Sequence, residues 1–185
     1  MIGGLWGGWR HGRALRARAA AYVDTLQHEP PDEDVRWLAA AATRGDEDHA
    51  RWELRYARQA LGLLTAQRDA LDDRTGSAVA QMLAEAMGRD RRVAPGKLNV
   101  AERQLNARIS AYADALGNRE GAGSGWHLGR ALLRFAGCRE TVAPETVARA
   151  GEITARYLGD ANEALRDAFG AASLPETVRP SGRGP

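Results

Sequence analysis

The chain has 185 residues, a length that suits one domain with tails rather than several. Its composition, 44% hydrophobic and 27% charged, argues against a disordered or fibrous chain. The net charge of +2 is a slight excess, so a pI of ≈ 9.0 does not signify the strong positive field of a general polyanion binder.

Only 6% of the residues are aromatic, and much of the hydrophobic share is alanine. The core is therefore expected to be thin, with helices in close contact through small residues. Cys138 is the single cysteine, which rules out an intramolecular disulfide and gives no sign of an oxidising compartment. No stretch approaches the roughly 18 apolar residues that cross a bilayer. The opening MIGGLWGGWRHGR has a short, Gly-broken apolar run that precedes its basic residues, the reverse of a signal peptide. The expected location is the cytoplasm, or the cytoplasmic face of a membrane.

Residues 1–9 read as a Gly/Trp-rich arm, with Leu5, Trp6 and Trp9 set among four glycines. A helix is predicted from Trp9 to about His28, with Leu15, Ala19, Tyr22, Val23 and Leu26 on its apolar face. Arg10, Arg13, Arg16 and Arg18 occupy the rest of it, and no acid occurs before Asp24. Glu29-Pro30-Pro31 makes a stiff corner, and a short helix follows from Asp32 to about Thr43. The strongest periodicity in the chain lies between Asp46 and Asp73, which predicts one long central helix. Asp46 is its N-cap, and Ala50, Leu54, Ala57, Leu61, Leu64 and Leu71 form its stripe. Tyr56, Ala60, Leu63 and Ala70 widen that stripe, while Arg51, Arg55 and Arg58 are expected on a solvated face.

After a turn at Arg74–Ser77, Thr75 or Ser77 is expected to cap a helix through Met87. A basic loop at 88–97 leads to a helix capped by Asn99, with Ala101, Leu105, Ile109, Tyr112 and Leu116 at period 3.6. Gly117–Gly125 reads as a flexible loop, Trp126–Phe135 as a short apolar helix, and Pro144–Phe169 as the final helix with Pro144 at its first position. There is no strand candidate. The fold class is all-α: an irregular antiparallel bundle of six or seven helices around a long central helix, with extended terminal arms. The helical domain spans 10–171, and 172–185 form an extended Pro-rich tail.

Catalytic constellations are incomplete. A di-iron bundle needs Glu-x-x-His twice, on facing helices. Here only Asp46, His49 and Glu53 share one helix face, a lone candidate for a mononuclear metal; the competing reading is a cap plus an exposed i,i+4 pair. Asp69 and Asp73 resemble the Asp-rich helices of all-helical prenyl-transferring enzymes, which hold magnesium and diphosphate, but no second acidic motif faces them. Cys138 has Arg139 beside it and no histidine nearby in sequence, Ser124 and His127 lack an oxyanion-hole signature, and GAGSG at 121–125 follows no strand. No cofactor is expected.

The N-terminal segment is the most unusual feature. Leu5, Trp6, Trp9, Arg10, Arg13 and Arg16 are candidates for docking on a protein partner or a membrane surface, the competing reading being Trp packed internally and Arg solvated. The expected function is a non-enzymatic helical accessory or scaffold subunit of a larger assembly, with a membrane-bound respiratory or photosynthetic complex as one host, docked through this arm and the C-terminal tail. The alternatives are a small helical regulator of a protein or nucleic acid, and a divergent metal-dependent enzyme at Asp46, His49 and Glu53. Nucleic acid ranks low because no second basic stripe accompanies the arm.

Overall fold

The computed structural model describes residues 3–70, 73–118, 123–138 and 142–170, with side chains from residue 12 onward. Among these there are seven helices and no strand: α1 (Gly3–Leu26), α2 (Asp32–Ala41), α3 (Glu47–Asp69), α4 (Asp73–Arg89), α5 (Leu98–Gly117), α6 (Ser124–Phe135) and α7 (Pro144–Phe169). The all-α bundle expected from periodicity is the fold observed.

α3 is the spine. Its start is fixed by Asp46, whose Oδ1 accepts the backbone N–H of His49 at 2.9 Å. Acids at Glu47 and Asp48 suit the positive end of the helix dipole. Ala50, Leu54, Ala57, Ala60 and Leu61 are all fully buried, because α3 is covered by α2, α4, α5 and α7 in turn. A stripe wide enough to meet several neighbours is what the widened apolar pattern requires. α7 starts as its sequence dictates, with Pro144 in the first turn, and buries Val147, Ala150, Ile153, Tyr157, Ala161 and Leu165 along one face.

Small residues set the helix spacings. A Cβ on Gly129 of α6 would fall under 3.0 Å from the backbone of α7, at Val147 O and Gly151 N. A Cβ on Gly151 would meet Gly125 O at 2.7 Å in return. The two helices therefore cross backbone against backbone, and Leu128, Leu132 and Leu133 close in around the crossing. Gly62 does the same for α1 and α3: a Cβ there would meet Leu26 Cδ2 at 2.5 Å, and its carbonyl accepts the buried Tyr22 hydroxyl at 2.8 Å.

Several boundaries differ from expectation. α1 is helical from Gly3, so the Gly/Trp-rich arm continues a helix instead of preceding one. The central helix ends at Asp69, with Ala70 extended at φ -70 and ψ 140, and a new helix opens at Asp73. Tertiary packing decides that break: α4 turns back so that Gly76 lies against Gln67 and Val79, Met82 and Leu83 are buried. Leu71 falls outside the described residues. α5 starts at Leu98 with Lys97 at the cap, two residues ahead of Asn99, and α6 starts at Ser124 rather than Trp126.

Candidate functional site

The three candidate metal ligands sit on the first turns of α3, and each side chain is already engaged. Asp46 caps the helix. His49 Nε2 lies 3.5 Å from Glu53 Oε1. Glu53 is not the exposed partner that an i,i+4 pair suggested: it is 4% exposed and held from across the core by Arg108 of α5. Arg108 Nε donates to Glu53 Oε2 at 3.0 Å, and its Nη1 donates to the Gln104 carbonyl at 3.0 Å. The guanidinium lies between the Phe135 ring, 4.3 Å from its centroid, and the Tyr56 ring, 5.1 Å away. A cation with a carboxylate fork and two ring faces is fully occupied. Among the described residues no group of three or more His, Cys, Asp or Glu is arranged to hold a metal ion. The Asp-rich reading loses its geometry as well, because Asp69 ends α3, bonded to Arg68, and Asp73 begins α4.

The basic face of α3 is not solvated either. Arg51 reaches Asp32, Arg55 forks onto Glu29 through Nε at 3.1 Å and Nη2 at 2.6 Å, and Arg92 joins Glu29 from the 90–97 loop. These cations tie the Pro30-Pro31 corner to α3. Burial pushes the Glu29 carboxyl up, but its hydrogen bonds and charge pairing with Arg55 and Arg92 outweigh this and leave it below the usual glutamate value. Arg58 donates to the His28 carbonyl, lies 3.5 Å from Asp160 of α7, and stacks on Tyr157 at 4.7 Å. Sequence periodicity places these arginines on a common face but carries no sign of the acids that other elements bring to them.

Arg58 and Tyr157 also line a groove of about 500 Å³ between α1 and α7. Its floor is apolar, from Leu26, Ala161 and Ala164, and α7 contributes Asp160, Glu163 and Asp167 along its edge. A second groove of about 470 Å³ lies between α1 and α4, beside Leu15 and Arg16.

Of the N-terminal docking candidates, Leu5, Trp6, Trp9 and Arg10 lie on the helical backbone of α1 but outside the described side chains. Arg13 is exposed, and Arg16 pairs with Glu85 of α4 at 2.7 Å. The C-terminal tail, with the second PETV at 175–178, lies outside the described residues. Ser124 and His127 share the first turns of α6. No described helix is long and apolar enough to cross a membrane. Comparison with protein-family models, with curated proteins and with solved structures finds no match to the chain.

Proposed function

We propose that this chain is a non-enzymatic helical accessory subunit that docks onto a larger assembly through the first turns of α1. The observation that carries this reading is the mismatch between helix and core. α1 is helical from Gly3, and among its side chains described from Gly12 onward full burial begins only at Ala19, with Leu15 alone half-buried between Gly12 and Arg18. At about 1.5 Å per residue, residues 12–18 amount to roughly 10 Å of described helix without a fully buried side chain. In the sequence Trp6, Trp9, Arg13 and Arg16 recur at spacings of three and four, and the last of them, Arg16, is held by Glu85 of α4. Tryptophan and arginine are the residue types most often found as interface anchors. The described surface itself exposes a single large hydrophobic side chain, Val100.

The occupied state of Glu53 and Arg108 supports a structural role for the polar core, which favours an interaction protein over the metal-enzyme alternative. A membrane-bound host suits the same stripe, since tryptophan settles at headgroup level and arginine meets anionic lipid there. On this reading the chain works at the cytoplasmic face of that membrane, with the 172–185 tail as a second contact.

The test is purification of the tagged chain from its native source, with and without residues 2–11. The full chain is expected to co-purify with stoichiometric protein subunits, and the shortened chain to lose them while keeping its helical circular dichroism. Retention of the same subunits by the shortened chain would overturn the reading, and so would a full chain that emerges alone.

A further inference from the structure

We infer that the groove between α1 and α7 is a binding site for a small organic cation with a primary ammonium at one end, an aliphatic body and a carbonyl at the other. The site is made from the packed part of α1 together with α3 and α7, so the inference stands apart from the docking role proposed for the first turns of α1.

One end of the groove holds two polar groups that the fold leaves unanswered. Tyr157 is 1% exposed and lines the groove, and its hydroxyl has no hydrogen-bond partner among the described residues. Arg58 lines it too, from α3. Its Nη1 donates to the His28 carbonyl at 3.2 Å and its Nη2 faces Asp160 at 3.5 Å, but its buried Nε is likewise without a partner. The guanidinium lies over the Tyr157 ring, 4.7 Å from the centroid, so the two groups are held side by side before any ligand arrives. Burying a donor without its partner costs stability. Both groups can donate, so an acceptor oxygen answers them. Asp160 already offsets the Arg58 charge, which favours a neutral carbonyl over a carboxylate.

The other end asks for a cation. Glu163 and Asp167 line it, both exposed and neither in an ion pair, and like charges four residues apart on a helix repel. The lining as a whole sets one guanidinium against three carboxylates. Between the ends the floor is apolar, with Leu26 and Ala161 buried and Ala164 half-buried. At about 1.5 Å per residue, Glu163 stands roughly 9 Å along α7 from Tyr157. A butylene chain carries a carbonyl and an ammonium about that far apart. The groove volume of about 500 Å³ lies within the range of small-molecule clefts.

The probe is N-acetylputrescine, titrated into the full chain and followed by calorimetry. A dissociation constant at or below the order of 1 mM is expected, as suits a ligand of this size. Putrescine lacks the carbonyl and N-butylacetamide lacks the ammonium, and each is expected to bind about tenfold more weakly. Tyr157→Phe is the decisive variant. It removes only the orphan hydroxyl, so the melting temperature without ligand is expected to hold or rise while affinity falls about tenfold. The double change Glu163→Gln and Asp167→Asn, at exposed positions, is expected to lower affinity by a similar factor and to remove its salt dependence. No binding by the full chain at about 10 mM probe overturns the inference. So does equal affinity for N-butylacetamide, which would make the groove a plain apolar cleft, or an affinity unmoved in Tyr157→Phe, which would mean that solvent answers the hydroxyl. A chain ending at Gly170 that binds where the full chain does not would assign the groove to the chain's own last residues, and this too overturns the inference.

Discussion

Glu53 and Arg108 show what a single buried pair asks of the fold. Their side chains are 4% and 6% exposed, and the guanidinium meets the carboxylate through two nitrogens while ring faces cover it. Such a pair contributes little relative to an apolar pair of the same shape, yet breaking it leaves a charge buried without its partner. Arg108→Met is therefore expected to cost about 3–5 kcal/mol in urea denaturation. Changing Glu53→Leu on top of it is expected to recover part of that loss, because no orphan charge remains. A single-variant cost below about 1 kcal/mol would mean that the pair behaves as a surface ion pair does. Little of this was legible beforehand. The Asp46 cap is a local matter and reads directly from sequence, and it is found as expected. Glu53 was expected to be exposed because its only visible neighbour was His49, four residues away. Its actual partner lies on α5, across a separation of 55 residues that no periodicity encodes.

At the scale of elements, glycine governs where helices touch. Gly129 sits where α6 crosses α7, and a methyl group there would lie 2.7 Å from Gly151 N. The obstacle is backbone, not a flexible side-chain end, so α6 has to move away from α7 as a unit. Gly129→Ala is expected to destabilise by about 1–3 kcal/mol, the usual range for overpacking. Gly159, on α7 itself, provides the control: nothing lies within 4 Å of its Cβ position. Gly159→Ala is expected to stabilise by about 0.5–1 kcal/mol through helix propensity. Thermal unfolding of the two variants side by side checks both signs, and equal shifts would show that the crossing tolerates a methyl group. The alanine-rich composition announced close packing in general terms, and the limits of α7 follow from its Pro144 start and apolar stripe. The α3–α4 break did not, because burial of Val79, Met82 and Leu83 outweighs a continuous helical pattern.

For the whole molecule, the four tyrosines act as reporters, one from each of four helices. Tyr22 of α1, Tyr112 of α5 and Tyr157 of α7 are essentially without solvent contact, and Tyr56 of α3 is 8% exposed. Burial is the largest influence on each and pushes every phenol above its ordinary value. The charge around Tyr56 is mixed: Arg108 pulls its phenol down, while Glu53 and Asp90 push it up. A group whose folded pKa is raised contributes stability that is fully present below its unfolded value, about 10 for tyrosine. That contribution is lost as pH rises through the folded value. Stability should therefore be flat with respect to tyrosine up to about pH 10 and decline above it, because the unfolded chain releases four protons that the bundle retains. In an alkaline titration followed by tyrosinate absorbance, the native protein is expected to show little ionisation until its helical circular dichroism is lost, and then all four together. The guanidinium-unfolded chain is expected to titrate near 10 throughout. Tyrosinate appearing near that value while the helices persist would mean that solvent reaches the centre of the bundle. Coincidence of the two signals would show that α1, α3, α5 and α7 share one cooperative core, anchored at Tyr22 and Gly62 for α1. The turn from Gly12 to Arg18, which buries no side chain fully, would then be carried by this core rather than part of it.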